Sequence, residues 1–169
     1  MEWIGRRTQL VLVAFGYATV LAVSAALIVV RYFEYLTHPA DVAAAGGMYA
    51  GGDLMLEAFI GGMLLVVTFF LVLVIYKWES AYTIYSKILL GLSLTAPLSV
   101  GLLFIPAVSQ GSSLLGGACM FRLFASPMIV VGMGMSRVFA RFPRAKRLTV
   151  YGLLIEVVTM ICLMAAMAL

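Results

Sequence analysis

Histidine is nearly absent from this chain: its 169 residues hold one, His38. A single imidazole excludes bis-histidine haem ligation within one chain and a zinc-hydrolase helix with two histidines. Cysteine is almost as scarce. Cys119 and Cys162 are the only two and form no C-x-x-C pair, so a dithiol oxidoreductase is excluded and two buried free thiols are expected. Charge is short as well, at 11% of residues against roughly a quarter in a soluble domain. So few charges cannot cover a globule in water, which excludes a soluble enzyme, a nucleic-acid-binding domain and a disordered tail. No glycine-rich phosphate loop follows a strand pattern, and no catalytic or metal-ligating constellation stands out, so no catalytic residue, metal or cofactor is expected.

Hydrophobic residues are abundant instead, at 64% against the roughly 45–50% of soluble proteins. About 20 mostly apolar residues carry a helix across a hydrocarbon core of roughly 30 Å. Five stretches pass that test: about 10–30, 54–76, 88–108, 118–136 and 148–169. The pattern predicts an all-α fold, an integral membrane bundle of five transmembrane helices forming one domain over 1–169. The first run is longer than the roughly 7–15 residues of a signal-peptide core and is expected to be retained.

Basic residues set an orientation. With the amino terminus in the cytoplasm, the inner side holds nine of the eleven Lys and Arg: Arg6, Arg7, Lys77, Lys87, Arg137, Arg141, Arg144, Lys146 and Arg147. Only Arg31 and Arg122 fall outside, among Glu34, Asp41, Asp53 and Glu57. By the positive-inside rule the N-terminus is expected to be cytoplasmic and the C-terminus extracytoplasmic, in a cell membrane of the bacterial cytoplasmic kind. Trp3, Tyr76, Trp78, Tyr82, Tyr85 and Tyr151 gather at the inner boundary, the depth that suits an amphipathic ring, and are expected to act as interface anchors.

Helices in lipid come together where small residues allow close approach. Ala14, Ala18, Ala22 and Ala26 form one i+4 ridge on the first span, and Gly132 and Ser136 repeat that spacing on the fourth. These ridges are expected to pack within the bundle, with contact to another subunit as the alternative. Pro97 and Pro127 predict kinks in the third and fourth spans. The run Gly46–Gly52 reads as a flexible turn, with Asp53 as N-cap of the helix after it.

Glu156, eight residues into the fifth span, is the most informative residue. A carboxylate near mid-membrane is costly, and it marks either a structural hydrogen bond between helices or an ion- or proton-binding group. Arg122 and Glu57 lie about one turn into their spans from the outer side. They are expected to pair with each other, or Arg122 to snorkel to lipid headgroups. Arg31 and Glu34, three residues apart, form an exposed pair. The acids Glu34, Asp41, Asp53 and Glu57 with His38 follow no recognised ligand spacing. The run Arg137, Arg141, Arg144, Lys146, Arg147 fixes orientation and attracts membrane lipids with anionic headgroups; nucleic acid is not expected as a partner. Five spans cannot be laid out as two inverted halves within one chain. The leading expectation is a non-enzymatic accessory or assembly subunit of a membrane complex. The alternative is a homo-oligomeric transporter or channel for a small ion or solute, with Glu156 as its ion- or proton-binding carboxylate and Arg122 and Glu57 near its outer mouth.

Overall fold

The computed structural model describes residues 5–109 and 114–168; Trp3 and Leu169, cited above as an anchor and as the end of the fifth span, lie outside them. Among the described residues every regular element is helical: α1 (Arg6–Thr37), α2 (Pro39–Ala44), α3 (Gly46–Ile75), α4 (Glu79–Leu103), α5 (Pro106–Ser109), α6 (Leu114–Phe124), α7 (Ser126–Phe139) and α8 (Pro143–Ala168). Helices satisfy every backbone group along their own length, which is what long apolar segments require in the absence of water. Four of them, α1, α3, α4 and α8, are long and apolar enough to cross a membrane. The fourth stretch, expected as one span kinked at Pro127, is divided there into two helices: α6 and α7 meet at an angle of 45°. Pro127, the second residue of α7, has no amide to offer the preceding turn, and the chain bends there. Pro97, by contrast, lies inside an uninterrupted α4.

Helix bounds also differ from the apolar runs: α4 ends at Leu103, short of the expected 108, and Pro106 opens the separate short helix α5. The third stretch was placed at 88–108, yet α4 starts at Glu79, whose carboxylate in the first turn suits the positive helix end. Apolarity marks the residues that leave water; it does not mark where helical hydrogen bonding begins.

The chain divides into two compact units, Met1–Leu71 and Val72–Leu169. In the first, α1 and α3 run antiparallel and are tied at two levels. Tyr17 and Thr68 share a hydroxyl hydrogen bond of 2.8 Å, and Arg31 Nε donates to Asp53 Oδ1 at 2.7 Å. Arg31 also donates to Glu34 at 2.7 Å and to the Tyr49 carbonyl at 2.8 Å, and its guanidinium lies 5.1 Å and 4.7 Å from the Tyr35 and Tyr49 ring centres. Tyr35 donates its hydroxyl proton to the other Asp53 oxygen.

This cluster corrects two expectations. Gly46–Gly52 is helical from its first residue, and Asp53 lies two turns into α3 rather than at its N-cap. Arg31 holds that glycine-rich turn from the side, through the Tyr49 carbonyl and Asp53. Gly52 leaves it room, since a Cβ there would stand 3.1 Å from Arg31 Nη2. Gly47 and Gly51 face open space. Gly47→Ala and Gly51→Ala are therefore expected to stabilise the protein by roughly 0.5–1 kcal/mol each. Thermal unfolding in detergent checks this.

Ala14, Ala18, Ala22 and Ala26 are all exposed and take no part in the packing of this unit. The residues that meet α3 within this unit lie on another stripe, where Gly16 comes up against Val67 and Tyr17 against Thr68.

In the second unit α8 packs chiefly on α4 and α7, and α6 lies on α4. The buried residues of α8 are Ala145, Thr149, Gly152, Glu156 and Thr159, spaced 4, 3, 4, 3 along one face. Facing elements bury Tyr82, Ser86, Ser93, Ala96 and Ser99 from α4, and Gly132, Met133 and Ser136 from α7. Leu92, Leu94, Leu98, Leu154 and Val158 are exposed. Small and hydroxylated residues inside with branched apolar ones outside is the inverse of a water-soluble core, and it suits helices that approach closely in an apolar solvent.

The hydroxyls need no partner from a neighbouring helix. Ser86, Ser93, Ser136, Thr149 and Thr159 each donate to the carbonyl four residues back in their own helix. Tyr82 and Tyr85, expected as interface anchors, are buried instead. Tyr82 donates to the Ser136 carbonyl, and the Tyr85 hydroxyl lies 2.8 Å from Ser136 Oγ. Gly132 and Ser136 are both buried.

Candidate functional site

Glu156 lies at the middle of α8 on its buried stripe, and its side chain is 0% exposed. Arg122, in the last turn of α6 just before the break, is 13% exposed and forms an ion pair with Glu156 Oε1. The same guanidinium donates from Nε to Thr95 Oγ1 at 2.6 Å, from Nη1 to Ser126 Oγ at 3.0 Å, and from Nη2 to the Leu92 carbonyl at 2.9 Å. Arg122 therefore joins four helices: its own α6, α4 through Leu92 and Thr95, α7 through Ser126, and α8 through Glu156.

Local sequence accounts for each part. Ser126 follows Arg122 by four residues, and helical backbone hydrogen bonding continues through Ala125, so the two side chains share one face and the hydroxyl is within reach. Thr95 donates its own proton to the Leu92 carbonyl at 2.6 Å, which leaves its oxygen free to accept from Arg122. Five donors in a fixed planar fork can serve several acceptors at once, as a lysine could not.

Sequence had placed Arg122 opposite Glu57, or at the lipid boundary. It is instead inside the second unit and bound to Glu156. Glu57 lies on α3 in the first unit, half-buried, and its Oε1 is buried without a hydrogen-bond partner among the described residues. One atom of the Arg122–Glu156 centre is also unsatisfied: Glu156 Oε2 is buried and has no such partner.

The centre holds an arginine and a carboxylate together away from the surface of the second unit. It lacks an activated nucleophile, because Ser126 and Thr95 face an arginine, which has donors only and cannot accept their protons. At His38, Nδ1 is 2.8 Å from Thr37 Oγ1. That hydroxyl also lies 2.8 Å from the Phe33 carbonyl, so it is tied back to its own helix. Among the described residues no three His, Cys, Asp or Glu are grouped so as to hold a metal ion. Both cysteines are free; Cys119 is buried, whereas Cys162, expected to be buried, is exposed.

Arg137, Arg141, Arg144, Lys146 and Arg147 are all exposed around the short link between α7 and α8. The Arg141 guanidinium lies 5.1 Å from the Tyr76 ring centre, and Lys77 Nζ lies 5.5 Å from the same ring. Searched against known protein families, curated proteins and solved structures, the chain matches none of them.

Proposed function

We propose that this is a multi-pass integral membrane protein without enzymatic activity, acting as an accessory or assembly subunit of a larger membrane complex. Its N-terminus lies in the cytoplasm, its C-terminus outside, and its host membrane is a cell membrane of the bacterial cytoplasmic kind. The observation that carries this reading is the Arg122–Glu156 pair. The one acid at the centre of a long apolar helix is engaged by an arginine of the same chain, which uses its other donors to tie α4, α6, α7 and α8 together. Such a centre serves the integrity of the bundle.

Extraction from native membranes in mild detergent, followed by a native mass measurement, tests the role. A stoichiometric second protein is the expected result, and a chain that is always alone contradicts it. Orientation is tested by cysteine labelling with Cys119 and Cys162 replaced by serine. Ala165→Cys is expected to react with a membrane-impermeant maleimide in intact cells, and Ala140→Cys only after permeabilisation.

Transport of a small ion or solute by a homo-oligomer is the second reading, favoured by the unpartnered Glu156 Oε2. On that reading Glu156→Gln assembles normally and abolishes ion- or proton-coupled flux in proteoliposomes. On the first reading the same substitution lowers the melting temperature, because it leaves Arg122 without its counter-charge.

A further inference from the structure

The exposed face of α8 has a period of its own. Arg144, Arg147, Tyr151, Leu154, Val158 and Ile161 are all exposed and follow one another at spacings of 3, 4, 3, 4, 3, so they form a single stripe along the helix. Two guanidiniums stand at one end, an amphipathic ring follows, and three branched apolar side chains complete it. From Tyr151 to Ile161 the stripe runs about 15 Å at 1.5 Å per residue, half of a hydrocarbon core of roughly 30 Å, which is the depth of one leaflet.

The cations at its head have no acidic partner among the described residues. None of the three ion pairs among the described residues involves Arg137, Arg141, Arg144, Lys146 or Arg147. The first turn of α8 contains no acid. Nor is the region loosely hung: Ala145 and Thr149 at the start of α8 are buried, and Arg141 rests on Tyr76. Like charges are thus held close together in a set frame, an arrangement that an anion stabilises.

We propose that α8 binds one anionic phospholipid, its phosphate between Arg144 and Arg147 and one acyl chain along Tyr151, Leu154, Val158 and Ile161. Charge complementarity selects the headgroup, and the apolar stripe beneath selects a lipid over a free phosphate. The inference rests on the membrane reading above and on the orientation that places this end of α8 at the inner leaflet.

The test uses the full chain reconstituted in nanodiscs of mixed phosphatidylcholine and phosphatidylglycerol, re-extracted in mild detergent and analysed for retained lipid. The wild type is expected to retain about one phosphatidylglycerol per chain, and excess inorganic phosphate is expected not to displace it. Each cation removed weakens retention about fivefold, so R144Q/R147Q loses it almost entirely. V158W, which keeps every charge and fills the acyl track on a lipid-facing surface, reduces it as well. Unchanged retention in R144Q/R147Q, equal retention of the neutral lipid, or displacement by inorganic phosphate overturns the proposal. Release of the protein from native membranes by alkaline wash is a separate outcome, which refutes the membrane reading itself.

Discussion

Arg122→Met is expected to destabilise the second unit by about 3–5 kcal/mol, read as a large fall in melting temperature in mild detergent. The cost comes less from the lost attraction than from what remains. Glu156, wholly buried, is left with neither counter-charge nor donor among the described residues, and the Leu92 carbonyl, Thr95 and Ser126 each lose a hydrogen bond. Arg122→Lys is expected to recover only part of the loss, since an ammonium cannot reach four acceptors spread over three other helices. A melting temperature within a degree or two of wild type for Arg122→Met would show that the pair contributes little.

Gly152→Val is expected to cost about 3 kcal/mol by forcing α4, α7 and α8 apart. A Cβ at Gly152 would stand 2.9 Å from Ser93 Oγ and 3.3 Å from Met133 Sδ. Both neighbours must shift within a packed interior: Ser93 and Met133 are fully buried, and the Ser93 hydroxyl would give up its 3.0 Å hydrogen bond to the Leu89 carbonyl. Gly134→Ala is the matched control, because a Cβ there meets nothing within 4 Å and the change is expected to be neutral or slightly stabilising. Thermal unfolding of the two variants side by side separates tight packing at Gly152 from a general intolerance of glycine replacement.

Apolar run length was enough to find α1, α3, α4 and α8, because each must leave water over about 20 residues. It also singled out Glu156 and Arg122, since a charge inside such a run has to be accounted for. Their partnership was not legible. A linear sequence gives depth along each helix but not which helices touch, and matching Arg122 with Glu57 by depth could not show that Arg122 meets α8. Small residues misled in the same way. Gly152 and Ser93 make the close contact of the second unit, whereas the more regular alanine ridge of α1 is exposed. The glycine-rich start of α3 read as a turn because the propensity of its residues is poor. What holds it helical is Arg31, roughly twenty residues away, which no local pattern reports. The buried stripe Ala145, Thr149, Gly152, Glu156, Thr159 was readable in principle from its 4, 3, 4, 3 spacing, once small and hydroxylated residues rather than leucines are taken as the interior of a membrane bundle.

A double-mutant cycle on Arg122 and Glu156, with each changed to Met alone and then together, tests the structural lock most directly. If the pair holds the bundle together, each single change is strongly destabilising. The double change then recovers most of the loss, because two apolar side chains of similar length replace two charges without leaving either one buried alone. Coupling near zero, with the two single losses simply adding, would mean that the residues act independently and that Glu156 is not held by Arg122 in the membrane.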